Sequence, residues 1–240
     1  MTHTAIIAAL PGELKPLVQG WTHHSRNGVD LWTHKHNEGL WTAACAGMGA
    51  AAAAKAFAEI EKDRAIDSAI SVGWAGALDD GLQPGRAYRV ARVTDARTGE
   101  RFQQAEGEAG CSLVTTEKVA DLAEKRRLAS TYKAGLVDME AAAVARLAEM
   151  RGIPFHCIKG VSDGPADKLP DFNRFLAPNG RFQTFRFVIF ALVRPWHWPA
   201  LIQMGENSRK ASQSIAESLL DLLDERGHIR ERNGYPNHQR

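Results

Sequence analysis

The chain alternates between two kinds of segment, and that alternation limits its fold more than any other property. Short apolar, β-prone runs bounded by turn residues recur at residues 4–10 (TAIIAAL), 39–45 (GLWTAAC), 66–73 (IDSAISVG) and 153–161 (IPFHCIKGV). Runs of this length and composition read as buried strands. Between them lie stretches with apolar residues three and four apart: AAAAAKAFAEIEK from Ala50, TEKVADLAEKRRLAS from Thr116, and a third from Asp138 to about Gly152. These read as helices with one apolar face. Strand and helix in alternation predict an α/β fold, a single three-layer domain with a central mixed sheet flanked by helices. An early hairpin is expected around Asn27-Gly28 and Glu38-Gly39, where polar and apolar residues alternate.

A chain of 240 residues can bury the core of one large domain. We place that domain at residues 1–228, with an apolar insertion at about 178–205 and a polar tail at 229–240. Lys and Arg number 30 against 28 Asp and Glu, so no global field draws the chain to nucleic acid. Cys45, Cys111 and Cys157 are too widely spaced for a disulfide framework or a metal knuckle, and free thiols suit a reducing, cytoplasmic setting. The first apolar run ends at Pro11 and Glu13 and reads as a strand rather than a signal peptide.

Residues 181–204, RFQTFRFVIFALVRPWHWPALIQM, mix aromatic and aliphatic side chains with arginine. Only Phe187 to Val193 is uninterruptedly apolar, too short to span a bilayer. Three readings stay open: a packed core or subunit contact, a lid over a site, or a peripheral membrane contact of the kind that Trp and Arg beside apolar residues support. An amphipathic helix follows, with Ala211, Ile215, Leu219 and Leu222 on one face.

Five short features carry candidate chemistry. In GLVDMEAAAVARLAEM, Asp138 and Glu140 stand at the front of a helix, where acids interact favourably with the dipole and Asp caps well. The same position can hold a carboxylate at the mouth of a site, where Glu140 would grip a vicinal diol. Asp163 follows directly on the strand ending in IKGV, at the strand end where open α/β sheets place their ligands, although a turn aspartate fits there as well. Glu13 likewise follows the first strand. GWAGAL follows the third, and in CAGMGAAAAA the residues Gly47 and Gly49 permit close backbone approach.

In order and spacing these features resemble the nucleoside phosphorylase and nucleosidase superfamily, most closely its methylthioadenosine and S-adenosylhomocysteine nucleosidase branch. AALPGELKPL is similar to that family's opening strand and catalytic loop, CAGMG to its glycine turn, and SVGWAGALDDGLQPG to its "TG-x-AGGL...G" block, which contains Gly73 and Trp74. VDMEAAAVA and VSDGPAD are similar to its two signature segments, and the resemblance runs from residue 4 to about 176. It implies that Asp163 is the catalytic acid that protonates or hydrogen-bonds N7 of a purine, oriented by Ser162. It further implies that Met139 packs on the ribose face, that Glu140 holds the ribose hydroxyls and that Glu13 activates water. Val119 and Ala120 fall near the purine-stacking and backbone-reading positions, and Phe172 would cover the base from the other side. Family members are commonly dimers or larger. No cofactor or metal is implied; the ligand is a nucleoside.

Cleavage of an N-glycosidic bond passes through an oxocarbenium-like state, which calls for a proton donor to the base and a negative group near the sugar. The expectation is a neutral Asp163, raised by burial, beside an ionised Glu140. Phosphorylases of the superfamily hold phosphate with arginine and serine; here the block has Ser71 and Trp74, which favours hydrolysis, while Lys15 and Lys159 keep phosphorolysis open. Trp74 is bulkier than the residue usual there, SDGPAD is one residue longer than the commoner pattern, and about 28 residues are inserted before the last helix. That insertion resembles the hopanoid-associated phosphorylase branch, whose substrate is an adenosyl group on a lipid. A non-catalytic nucleoside binder and a metal hydrolase built on His23, His24, His34 and His36 are the competing classes.

Overall fold

In a computed structural model, residues 2–36, 39–104, 110–177, 180 and 182–232 are described, with residues 36 and 223–232 described in backbone alone. Ten strands form one sheet: β1 (Thr2–Ala8), β2 (Thr22–Arg26), β3 (Val29–His36), β4 (Gly39–Cys45), β5 (Ser68–Ala77), β6 (Ala87–Asp95), β7 (Arg101–Gln103), β8 (Cys111–Thr115), β9 (Leu136–Asp138) and β10 (Phe155–Asp163). The helices are α1 (Pro11–Leu14), α2 (Ala50–Glu61), α3 (Leu122–Tyr132), α4 (Ala141–Met150), α5 (Thr184–Leu192) and α6 (Trp198–Arg232). β1 runs parallel to β4 and β5, and β2, β3 and β4 form the antiparallel meander predicted around Asn27-Gly28. Asn27, at φ 53°, and Gly28, at φ 73°, both take the left-handed conformation of a two-residue hairpin turn. Glu38, in the second expected turn, lies outside the described residues.

The mixed sheet is α/β as expected, and at one end it closes on itself. β5 pairs with β10, β10 with β6, β6 with β8, β8 with β9, and β9 returns to β5. Such closure removes free sheet edges where the site forms. It also explains two differences from the sequence pattern. The run expected as a helix from Asp138 begins instead with β9, because Leu136–Asp138 bridge β5 and β8; α4 starts only at Ala141. The stretch GWAGA is strand rather than loop, since β5 pairs with β10 as far as Gly76 opposite Asp163.

Apolar cores lie on both faces. Phe57 and Ile60 of α2 and the alanines of α4 cover one; Leu14 of α1 with Ile215 and Leu219 of α6 cover the other. The alanine run of α4 lets that helix pack close behind the site. Across the sheet, Gly160 of β10 allows α6 the same approach, for a Cβ there would lie 2.8 Å from Cβ of Ala211. The last helix continues through Gly227 as far as Arg232 rather than ending before it, and residues 233–240 of the expected tail lie outside the described residues. Among the described residues no helix is long and apolar enough to cross a membrane.

Candidate active site

A cavity of about 1310 Å³ opens over the ends of β1, β5, β9 and β10. Nine of the residues singled out in the sequence line it: Glu13, Trp74, Val119, Ala120, Met139, Glu140, Ser162, Asp163 and Phe172. Residues scattered over 160 positions therefore meet at one place. Gly47, Gly49 and Gly73, expected to line it, do not; the Gly47 N–H donates to the carbonyl of Ala9 at 3.1 Å, Gly49 adjoins Glu140 and Gly73 adjoins Glu13.

Glu13 sits in the short turn that leaves β1. Its Oε2 accepts the backbone N–H groups of Ala9 (2.8 Å) and Leu10 (2.9 Å), and its Oε1 accepts that of Trp74 (2.9 Å). Gly73 makes room for it: with φ at 141°, a Cβ at that position would stand 2.9 Å from Oε1. Burial raises the proton affinity of Glu13 above the usual carboxyl range, opposed by these N–H groups and by Lys159.

Glu140 accepts the N–H of Gly49 at 2.6 Å, so the glycine turn is directed to a carboxylate of the protein itself. Gly49 holds φ at 90°, a conformation that favours glycine. Burial, then the neighbouring Asp138, raises Glu140 to about 8. The sequence expectation is an ionised Glu140; burial and Asp138 instead favour its protonated form. Asp138 is turned inward to Lys159 (2.8 Å), Thr115 Oγ1 (2.7 Å) and the N–H of Ala141 (2.9 Å). Its capping role is thus kept, exercised from a strand end. Burial alone would lower Lys159, but Asp138 holds it above the ordinary lysine range.

Asp163 and Ser162 are adjacent on β10 yet both face the cavity, which a regular strand forbids. A bulge resolves this. Val161 pairs with Ala75 and Asp163 with Gly76, leaving Ser162 as the extra residue that turns the strand end. Ser162 Oγ donates to Asp163 Oδ1 at 2.5 Å.

The other carboxylate oxygen of Asp163 is taken by Lys125, whose ammonium also donates to the carbonyl of Gly164 at 2.6 Å. Lys125 lines the cavity and is 4 % exposed. Sequence reasoning passed over it because a lysine within LAEKRR has the pattern of a solvated helix face. The missed signal was helix phase: Asp121 is the N-cap, accepting from Glu124 N at 2.8 Å, so α3 begins at Leu122 and not at Thr116. Gly76 leaves space for this pair, since a Cβ there would meet Lys125 Cε at 3.1 Å and Asp163 Oδ2 at 3.3 Å. Lys125→Met is expected to lower stability by about 3–5 kcal/mol, as a buried carboxylate loses its counter-ion. The double variant Lys125→Met/Asp163→Asn should lose less than the sum, as urea unfolding of the four proteins will show.

On the wall that carries Val119 and Phe172, the carboxamide of Asn173 accepts the N–H of Val119 (2.9 Å) and donates to its carbonyl (3.0 Å). Phe172 is buried against Phe182 and Phe187 at ring separations of 6.3 and 5.5 Å. Trp74 forms another wall. Its indole N–H donates to Ser212 Oγ of α6 (2.9 Å), Ser212 Oγ donates to Gly12 O (3.1 Å), and a Cβ on Gly12 would stand 3.1 Å from the Trp74 ring.

Of the two residues read against phosphate, Ser71 is fully buried and only Trp74 reaches the cavity. Lys159 is committed to Asp138, and Lys15 stands exposed at the rim. Two of the four histidines are engaged elsewhere: His34 stacks on Trp21 (5.2 Å) and His23 lies 3.4 Å from Asp30. Among the described residues no three His, Cys, Asp or Glu side chains are grouped to hold a metal.

Raised Glu140 carries a pH consequence for stability. Its folded value of about 8 lies above the ordinary 4.5, so its contribution is complete below pH 4.5, declines as pH rises and is gone above about 8. Thermal melts from pH 5 to 9 should show Tm falling through this window. Glu140→Gln should flatten the fall; an equal slope in that variant would refute the assignment.

The solved structures that share this architecture include 5′-methylthioadenosine/S-adenosylhomocysteine nucleosidase from Helicobacter pylori in complex with butyl-thio-DADMe-Immucillin-A. It has 14 % identity, a TM-score of 0.70, and covers 94 % of this chain and 99 % of its own. Futalosine hydrolase of the same organism has 14 % identity and a TM-score of 0.69, over 93 % and 98 % of the two chains. The 5′-methylthioadenosine nucleosidase of Arabidopsis thaliana has 16 % identity and a TM-score of 0.70, over 93 % and 95 %. A search of curated protein sequences found no match. The family model described as "Phosphorylase superfamily" matches residues 3–108 and 105–184, most of the chain and every element that bears an acid of the site. On that match the chain belongs to the phosphorylase superfamily.

Proposed function

We propose that this enzyme hydrolyses the N-glycosidic bond of a purine nucleoside, with adenine as the base. One observation carries the reading: a single cavity holds Asp163 with Ser162 at one side, and Glu13 with Glu140 and Met139 at another. In the proposed reaction the C1′–N bond breaks and its electron pair goes to the base. Asp163 takes a proton from the Lys125 ammonium that donates to it and passes it to the purine as it leaves. Glu140 holds the ribose hydroxyls by hydrogen bonds, with its oxygens set where the positive charge of the sugar develops. Glu13 then takes a proton from the water that attacks C1′. Val119, Ala120 and Phe172 enclose the base, and Met139 packs on the sugar.

Water is favoured over phosphate by the charges of the site. Both buried lysines are paired with aspartates, Lys125 with Asp163 and Lys159 with Asp138, so neither is free to hold an anion. The names of the neighbouring folds, which are nucleosidases and a hydrolase, agree with this choice.

A second reading concerns the 5′ substituent. The cavity exceeds the volume of about 300–1,000 Å³ typical of small-molecule sites. Its lining includes apolar residues of α5 and α6, Phe187, Leu201 and Met204, together with Phe182. That supports an adenosyl group carrying a large apolar 5′ chain, as in a lipid-linked nucleoside.

Incubation with methylthioadenosine, S-adenosylhomocysteine and adenosine, with and without phosphate, tests the reaction. Base release without phosphate is the expected result, and strict dependence on phosphate would overturn hydrolysis. Release only from an adenosine bearing a long 5′-alkyl chain supports the lipid-linked reading. No release from any of them would leave a nucleoside-binding module.

A further inference from the structure

Ten large apolar side chains are exposed among the described residues, and eight of them lie between Phe185 and Ile202. Phe185 is 77 % exposed, Trp196 69 % and Leu192 64 %. One short stretch therefore holds nearly all the unsatisfied apolar surface. Patches of this kind mark a contact with something apolar. The opposite side of the same segment is already occupied: Phe182, Phe187 and Phe190 pack on Phe172 and Phe175, while Leu201 and Met204 face the cavity. The segment is apolar on both sides, and among the described residues only the inner side has a partner.

Charge narrows the choice of partner. From residue 185 to 202 there is no Asp or Glu, while Arg186 and Arg194 fall in the same interval; Arg174, before it, is paired with Asp171 at 3.3 Å. Arg186 is exposed, and the Arg194 guanidinium lies 4.2 Å over the ring of Phe190. A two-fold contact with a second copy would bring this patch against itself, arginine toward arginine, with no acid in the patch to answer them. An anionic surface answers them directly. Trp196 and Trp198 add rings that suit the boundary between headgroups and acyl chains. The nine residues of α5 extend about 14 Å, well short of the roughly 30 Å hydrocarbon core, so the segment lies on a bilayer and not through it.

We propose that the outer face of residues 185–202 docks on the surface of an anionic lipid bilayer. Phe187, Leu201 and Met204, which line the cavity, then stand about one helix diameter, roughly 10 Å, from the lipid. An apolar 5′ chain passes from the acyl region into the cavity without crossing water. The purpose of the docking rests on the reading of an apolar 5′ substituent, whereas the surface itself does not.

Flotation with vesicles of phosphatidylcholine alone, and of phosphatidylcholine with phosphatidylglycerol, tests the docking. The expected result is at least tenfold more protein on the anionic vesicles. The triple variant Phe185→Ser/Leu192→Ser/Trp196→Ser should lose at least tenfold of that binding, and Arg186→Gln/Arg194→Gln should reduce it to the level of neutral vesicles. Thermal unfolding checks that each variant is folded, and light scattering measures its mass. The proposal is overturned if wild-type protein floats with neither vesicle, if it floats equally with both, or if the triple variant floats as well as wild type. It is equally overturned if the triple substitution only turns a dimer into a monomer and leaves flotation unchanged. Base release from a water-soluble nucleoside, assayed without vesicles, is a separate readout: its absence would count against the reaction and leave the docking result standing.

Discussion

Asp163→Asn should lower kcat by about 10²–10⁴-fold, the usual worth of a positioned acid, while the protein stays folded. The two carboxylate oxygens have different partners, Ser162 Oγ on one and the Lys125 ammonium on the other. Asparagine keeps an oxygen for Lys125, and its amide can donate to the serine hydroxyl, which accepts as readily as it donates. The hydrogen bonds survive; the route for a proton from Lys125 and the negative charge beside it do not. The measurement is single-turnover base release beside a thermal melt. A rate within threefold of wild type would remove Asp163 from the proposed chemistry, and a collapsed melt would show that its pairing with Lys125 is chiefly structural. Substrates with better leaving groups should be less affected, because a base that departs readily needs less help from an acid.

Glu13→Gln is the other large effect, and here rate and fold should change together. Three backbone N–H groups converge on this carboxylate, two on Oε2 and one on Oε1. Glutamine offers only one oxygen. Either Trp74 or the Ala9 and Leu10 pair then faces an NH₂ group, donor against donor, inside the protein. A buried donor left without an acceptor costs about 1–3 kcal/mol, and loss of the base should remove about 10²–10⁴ of rate. Glu13→Asp keeps the charge but draws it back by one methylene, and should retain fold better than rate. Chemical denaturation and kcat on the three proteins will separate the contributions. Unchanged kcat in Glu13→Gln would exclude it as the base.

How far the sequence foretold this site depends on the kind of interaction involved. The four apolar runs became β1, β4, β5 and β10, because burial of Ile, Val and Ala on both faces of a sheet is decided by residues next to one another. Asp163 and Glu13 were found because they follow such strands. β6, β7 and β8 gave no comparable signal: β6 is only half buried through much of its length, and the contacts that define it come from β8 and β10. The proton balance was not visible either. A helix-front acid in sequence looks like an ionised dipole partner, yet Glu140 is enclosed beside Asp138, and no local pattern announces that neighbour's inward turn to Lys159. Lys125 escaped for the same reason: its partner lies 38 residues away. Local periodicity reports which residues are buried, and only the closed ring of strands decides which buried charges meet.

The wall made by Trp74, Ser212 and Gly12 has a bearing on how such a chain can change over generations. A side chain at position 12 crowds the indole, a smaller residue at 74 leaves the Ser212 hydroxyl without its donor, and loss of that hydroxyl strands the indole N–H. Each single step is unfavourable while the right combination is not. These three positions, spread over 200 residues, are therefore expected to be inherited as a block, and an ancestor with a small residue at 74 would have had freedom at 12 and 212 that this chain has given up.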